Sequence, residues 1–157
     1  KSEPIANDDG GIEDFDTGVN FINNSNSDAP LRRITDIDKV FEGDASGSGA
    51  LAVNDNFFEA YTRNIVNVPR NGLPVYLEFD YKSTHDFQVS VYVNNQSQQV
   101  PFVTVRARNE WKKIYLDFSN VFPILFDAAN YNISFGYIKP NGEEGELLLD
   151  NVKLLHF

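Results

Sequence analysis

The chain has 157 residues, of which 23 are acidic and 13 basic, so its formal net charge is -10 and its pI is near 4.5. This charge repels phosphate backbones and disfavours nucleic acid as a partner. The absence of cysteine excludes disulfides, thiol catalysis and cysteine-ligated metals. No apolar run approaches the roughly 20 residues of a membrane-spanning helix, and the length fits one domain with an ample core.

The first segment, residues 1–11, is polar and rich in Asp, Asn and Gly. It is predicted to be a flexible tether ahead of a single folded domain over residues 12–157. The chain starts at Lys1 and contains no methionine, which indicates a processed form from which a signal peptide has been removed. Directly after the tether, three acids surround one aromatic residue, Phe15: they are Glu13, Asp14 and Asp16.

Apolar residues then recur with period two, the spacing of half-buried β-strands, and no long segment keeps helical spacing. Strands are predicted over residues 31–37, 50–53, 59–62, 75–82, 87–93, 100–106, 131–138 and 147–155. One more strand carries Ile114, Leu116 and Phe118 inward. The segment 43–49 is predicted to be a glycine-rich loop, and 122–129 one helical turn or a bulged loop. Many short alternating strands separated by turns predict an all-β sandwich.

The closing strand is strongly apolar but is interrupted by one acid, Asp150. A carboxylate is costly to bury unless a partner or a cation takes up its charge. If the first and last strands lie close together, the acids around Phe15 and Asp150 would share a cation. The alternatives are that Asp150 pairs with a lysine or arginine, or that it is solvated at a bend.

Five segments resemble the galactose-binding-like jelly-roll domains, especially their carbohydrate-binding modules. These segments are the start Asp14-Phe15-Asp16-Thr17-Gly18, the glycine-serine segment 42–53, the strand 75–82, the tryptophan-led strand 110–118 and the closing Leu149-Asp150-Asn151-Val152-Lys153-Leu154. The resemblance implies a jelly-roll β-sandwich of two antiparallel sheets that binds carbohydrate without catalysis. It also implies a secreted or bacterial cell-surface protein, with residues 1–11 following a lipid anchor.

By the same resemblance, a structural calcium ion would be held by Asp16 and Asp150, with Glu13, Asp14 or Glu42 as supplements. Calcium takes six to eight hard oxygen ligands in flexible geometry, which suits such a set.

The outward face of the predicted strands is the candidate binding surface for an oligosaccharide or polysaccharide. Flat aromatic rings contact sugar C–H groups, and polar side chains bond the hydroxyls. The aromatic candidates are Tyr76, Tyr92, Trp111 and Tyr115, and the polar ones are Glu78, Asp80, Lys82, Gln88 and Lys113. The competing interpretation is that Trp111 covers a domain edge and that the tyrosines are ordinary strand residues.

Loop tips offer a second candidate site, at residues 54–58 and 94–99. Phe57 and Phe58 cannot both point inward from a regular strand, so one of them is expected to be exposed.

Two other functions compete with sugar binding. Glu78 and Asp80 resemble the start of the acid cluster of jelly-roll glycoside hydrolases, but Ser83 stands where a third acid is needed, which disfavours hydrolysis. A structural or adhesion domain that contacts a protein or spaces its neighbours is the alternative, because a sandwich fold does not fix a function.

Overall fold

The computed structural model describes residues 3–4, 12–13, 15–16, 19, 21–23, 31–65, 68, 71–94, 98–125 and 127–156. The strands are β1 (Glu3–Pro4), β2 (Ile12–Glu13), β3 (Phe21–Asn23), β4 (Arg32–Ile34), β5 (Ser46–Leu51), β6 (Phe57–Thr62), β7 (Val75–Ser83), β8 (Phe87–Val93), β9 (Gln98–Val105), β10 (Arg108–Asp117), β11 (Tyr131–Ile138) and β12 (Gly145–His156). These ranges contain no helix, and hence none that is long and apolar enough to cross a membrane.

The strands form two antiparallel sheets, as predicted. Sheet A has the order β10-β7-β12-β5-β4, with β1 and β2 also paired to β12, and sheet B has the order β3-β6-β11-β8-β9. The apolar closing strand, β12, lies in the middle of sheet A. Its inner side is buried, and it is hydrogen-bonded to neighbouring strands along both edges. The predicted jelly-roll β-sandwich is confirmed.

The core lies between the sheets and is rich in aromatic rings. Inward residues of β7 and β8 are fully buried, which confirms the alternation in the sequence. Phe79 from sheet A meets Phe135 from sheet B edge to face, with ring centroids 5.3 Å apart. Such edge-to-face pairs add about 0.5–1.5 kcal/mol beyond the area that they bury.

One predicted loop is a strand. Residues 46–49 form most of β5 and pair with β12, although their glycines and serines favour a loop in isolation. The reason is space: the rings of Phe15 and Phe58 lie against the inner sides of Gly47 and Gly49, where a side chain would collide with them. Glycine is therefore selected at both positions by close packing rather than by a turn.

The structure also bears on two further expectations, one about the first residues of the chain and one about the Phe57-Phe58 pair. Glu3–Pro4 pairs with the end of β12, so these two residues belong to sheet A rather than to a tether. Residues 1–2 and 5–11 lie outside the described residues, and the domain boundary at residue 12 stays a prediction. At the Phe57-Phe58 pair, Phe58 is buried and Phe57 is partly exposed, as expected.

Because Gly49 faces a buried ring, we predict that Gly49→Ala lowers the free energy of unfolding by roughly 1–3 kcal/mol through overpacking against Phe58. The measurement is urea unfolding followed by intrinsic fluorescence. Gly136→Ala is the matched control, since a Cβ there meets nothing nearer than Gln88 O at 3.9 Å. Equal stability of the two variants would contradict the packing explanation.

Candidate functional site

The nine predicted sugar-binding residues lie on two opposite faces of the sandwich. Seven of them lie on β7 and β10 of sheet A: Tyr76, Glu78, Asp80, Lys82, Trp111, Lys113 and Tyr115. Gln88 and Tyr92 lie on β8 of sheet B. The expectation of a single surface is wrong because the chain crosses from one sheet to the other between β7 and β8. Strand alternation shows which residues point outward, but not from which sheet.

The outward side of sheet A, called here the sheet A face, is crossed by the chain's own loop. This crossing loop, residues 35–45, joins β4 to β5 at one edge of the sheet and contacts strands on the other side. Lys39 Nζ lies 3.0 Å from Glu146 Oε1 on β12. The ring of Phe41 lies 5.0 Å from that of Trp111 on β10. Trp111 thus packs on the crossing loop.

The carboxylate of Glu78 on the sheet A face is already paired. Glu78 is buried and contacts two ammonium groups, with its Oε1 2.8 Å from Lys113 Nζ and 3.1 Å from Lys153 Nζ. Burial alone would raise the pKa of Glu78, but the hydrogen bonds from the two lysines lower it below its ordinary value. A sugar hydroxyl would have to displace one of these charged partners to reach Glu78.

Asp150 and Asp16 fasten the crossing loop to the sheet. Asp150 Oδ2 accepts hydrogen bonds from Ser46 Oγ at 2.8 Å and from the main-chain N–H of Glu42 at 3.3 Å. Asp16 Oδ1 accepts from the N–H groups of Asp44 and Ala45, at 2.7 and 3.1 Å. Asp150 is buried rather than solvated, and its partners within the described part of the chain are hydroxyl and N–H groups rather than a lysine or arginine.

The two loop-fastening acids interact electrostatically with each other. Burial raises the pKa of Asp150 to about 6, and the nearby charge of Asp16 adds to this increase, although the hydrogen bonds to Asp150 lower it. Asn151, next to Asp150, has a left-handed φ of 50°, and its amide bridges Glu42 and Asp80 at 3.1 and 3.0 Å. Backbone strain of this kind persists only where neighbouring contacts determine the geometry.

The fit of this cluster to calcium is incomplete. In favour of a cation, Asp80 Oδ1 is buried and has no hydrogen-bond partner within the described part of the chain. Against it, the described residues contain no group of three or more His, Asp or Glu side chains placed to hold a metal. The side chain of Glu13 and all of Asp14 lie outside the described residues. The calcium site at Asp16, Asp150 and Glu13 stays a prediction.

The outward side of sheet B, called here the sheet B face, carries an ordered polar network beside an aromatic pair. Glu59 Oε2 accepts hydrogen bonds from Tyr92 Oη and Ser134 Oγ, both at 2.9 Å. The rings of Tyr61 and Tyr92 meet edge to face with centroids 6.3 Å apart. Burial, followed by the hydrogen bond to Glu59 and its charge, raises the pKa of Tyr92 to about 12.

Next to this network the sheet B face has a gap without a side chain. Gly136 on β11 lies between Glu59 on β6 and Gln88 on β8. Among the described residues, a Cβ at Gly136 would meet no atom nearer than 3.9 Å, so no described side chain covers the half-buried backbone there. One strand step further, Phe57 and Ile138 form an exposed apolar pair. The result is a flat floor with aromatic residues at both ends.

Sequence reasoning found two residues of the sheet B face, Gln88 and Tyr92, and missed its centre. Glu59 and Tyr61 share one side of a predicted strand by their period-two spacing, and Gly136 lies on the outward side of another predicted strand. What the sequence lacked was the pairing of β11 between β6 and β8, which brings these residues together.

Comparison with known proteins supports the fold rather than a particular ligand. No protein-family model matches the chain, and a search of curated proteins found no match. Among solved structures, it is similar to TmCBM61 in complex with β-1,4-galactotriose, with a TM-score of 0.61, 13% identity and coverage of 92% of this chain and 94% of that one. It is also similar to a family 11 carbohydrate-binding module from Clostridium thermocellum in complex with a β-1,3-1,4-mixed-linked tetrasaccharide, at TM-score 0.57, 16% identity and the same two coverages.

A third similar structure is the K2 cleaved adhesin domain of Lys-gingipain, with a TM-score of 0.65, 9% identity and coverage of 91% and 96%. The predicted resemblance to carbohydrate-binding modules of jelly-roll type is confirmed at the level of the fold. At these identities the similarity carries no residue-by-residue correspondence.

The Tyr92–Glu59 contact leads to a pH prediction. A tyrosine whose pKa is higher in the folded than in the unfolded chain contributes stability that is complete below about pH 10 and is lost as the pH rises through about 12. In Glu59→Gln we expect the Tyr92 pKa to fall toward 10 and alkaline unfolding to become less steep in that range. Phenolate absorbance measures the pKa, and Tyr92→Phe assigns the signal. An unchanged titration in Glu59→Gln would contradict the contact.

Proposed function

We propose that this domain binds a neutral oligosaccharide or polysaccharide, without catalysis, on the sheet B face. The observation that carries the proposal is the open floor at Gly136, which is flanked by Glu59 and Gln88 and has aromatic residues at both ends. A sugar ring can lie flat on backbone only where no side chain intervenes. This arrangement replaces the sheet A face, where the buried carboxylate of Glu78 is already paired with two lysines and the crossing loop lies over the strands.

The polar groups of the sheet B face are fixed in position before a ligand arrives. Tyr92 and Ser134 hold the carboxylate of Glu59, and Asn132 Nδ2 donates to Thr62 O at 2.9 Å. Groups that are already ordered lose little conformational entropy on binding, which raises affinity for a given set of contacts. A carboxylate acceptor and the exposed amide of Gln88 suit sugar hydroxyls.

A non-catalytic role agrees with the acids available. Glu59 is the only acid in the described strands of sheet B, whereas glycoside hydrolysis takes two carboxyl groups about 5–9.5 Å apart. The other predicted pair, Glu78 and Asp80, lies on the opposite face. The sequence-based assignment to the cell exterior or bacterial surface belongs to this proposal, because it rests on the same resemblance to carbohydrate-binding modules.

Adhesion to a protein is the second candidate, and a specific observation favours it. The sheet A face exposes Phe41 and Tyr115 at 41% and 59%, and Ile37 of the crossing loop is 90% exposed. Exposed apolar residues near one another are typical of protein contact sites. The similarity to an adhesin domain is consistent with this function.

The two faces make opposite predictions for tyrosine variants. On a broad glycan array, Tyr61→Ala should lower the affinity for the recognised glycan at least about tenfold, because the ring contact is lost. Tyr115→Ala and Tyr76→Ala, on the sheet A face, should bind as the wild type does. Loss of binding in Tyr115→Ala alone would move the site to the sheet A face. No glycan bound by the wild type would leave adhesion as the better assignment.

Calcium remains a second proposal, with Asp16 and Asp150 as ligands together with main-chain carbonyl groups. An ion that binds only the folded chain raises the midpoint of thermal unfolding. We therefore expect a chelator to lower the wild-type Tm and to leave Asp150→Asn unaffected. Glycan affinity should not change, since the acids lie on the opposite face from Glu59. A wild-type Tm that is insensitive to chelator would contradict this proposal.

A further inference from the structure

Basic residues are concentrated in one short stretch of this acidic chain. Of the 13 lysines and arginines, four lie within eight residues, at Arg106, Arg108, Lys112 and Lys113. In a protein with net charge -10, such a cluster makes a local positive potential that the rest of the surface opposes. The stretch spans the turn between β9 and β10 and the first part of β10.

The structure gives this stretch a groove of about 600 Å³ at one end of the sandwich. The β9–β10 turn forms one wall and the end of β7 with Thr84 the other. The lining residues used below are Arg106, Arg108, Asn109, Glu110, Trp111 and Lys112. The register of β10 against β7 shifts between Arg108 and Lys112, and this irregularity separates the intervening residues from the regular ladder.

Two hydrogen bonds hold the walls of the groove in place. Tyr81 Oη donates to Arg106 O at 2.9 Å, and the N–H of Ala107 donates to Asp86 Oδ1 at 2.8 Å. Both join the β9–β10 turn to the β7–β8 hairpin, so the groove is formed without a ligand. A preformed groove avoids the ordering cost that a mobile loop would pay on binding.

The charges in the groove leave a positive excess. Arg106 Nη1 lies 3.2 Å from Asp86 Oδ2, so Arg106 is paired. Lys113 lies outside the groove and is paired with Glu78. In the described part of the chain no ion pair or side-chain hydrogen bond is formed by Arg108 or Lys112, and both are exposed. Glu110 is the one acid among the groove's lining residues. An anionic group would therefore meet two available cations.

Trp111 adds an aromatic surface to these cations. It lines the groove and is half-buried, and the ring of Phe41 in the crossing loop packs against its indole ring. An arginine fork binds a carboxylate or a sulfate through paired N–H donors, and an indole ring packs on the apolar side of a sugar ring. We propose that this groove is a second ligand site, which takes an oligosaccharide carrying carboxylate or sulfate groups.

The groove is a different place from the sheet B face. The proposal rests on the proposed function in one respect, namely that the ligand is a saccharide. The charge of the remaining surface restricts the ligand further. Because the chain is strongly acidic elsewhere, a long uniform polyanion is repelled outside the groove, and a short or terminal acidic sugar is favoured.

The test is titration calorimetry at low and moderate salt with an oligogalacturonate, a sulfated galactan oligosaccharide, a neutral galactan oligosaccharide and inorganic sulfate. We expect one of the two acidic saccharides to bind the wild type, with affinity that falls as salt rises. In Arg108→Gln/Lys112→Gln this affinity should fall at least about tenfold, because both available cations are removed. The preferred acidic ligand identifies the group recognised, uronate or sulfate.

Two matched variants separate the sites. Arg32→Gln/Arg63→Gln removes the same charge from exposed positions away from the groove and should bind the acidic saccharide as the wild type does. Tyr61→Ala should also keep acidic binding while losing the neutral ligand, so that each proposal can fail alone. Three results would overturn the proposal. They are an equal loss of affinity for the acidic saccharide in both charge variants, wild-type affinity in Arg108→Gln/Lys112→Gln, and no binding of either acidic saccharide by the wild type. Inorganic sulfate bound as tightly as the saccharide would overturn the sugar assignment.

Discussion

The architecture depends on two carboxylates that accept hydrogen bonds from one loop. Asp16 follows the first strands and Asp150 lies in the last one, and both bind main-chain N–H groups of the crossing loop. N–H dipoles of the loop bind both acids, and together with the Ser46 hydroxyl they offset the cost of burying Asp150. These bonds join the two ends of the domain to the middle of its sequence.

This fastening makes the two sides of the sandwich unequal. On one side the crossing loop contacts β5, β12 and β10, and the buried carboxylate of Glu78 is paired with lysines. On the other side, the described strands carry a glycine in place of a bulky residue at the centre of the sheet. A binding surface needs groups that a ligand can reach. The crossing loop reduces access to such groups on the sheet A face.

Much of the scaffold was predictable from local pattern, because strand alternation and core residues depend on neighbours in sequence. On this basis the sequence predicts β7, β8 and β11 to within about a residue of their observed ends. The face on which a residue lies is decided by sheet pairing, which sequence neighbours do not encode. For this reason strand alternation alone predicts one surface for Tyr92 and Tyr115, and local composition predicts a loop for the glycines of β5, although Phe15 and Phe58 select those glycines by contact.

The position of β12 has a consequence for synthesis of the protein. It pairs with β1, β2, β5 and β7, so sheet A is assembled around the strand that leaves the ribosome after all the others. Until then β5 and β7 have unpaired edges, which are prone to wrong pairing with other chains. Pairings between distant strands also form slowly. Sheet A is therefore completed only after the last strand of the domain has been synthesised, and its edges are exposed to aggregation until then.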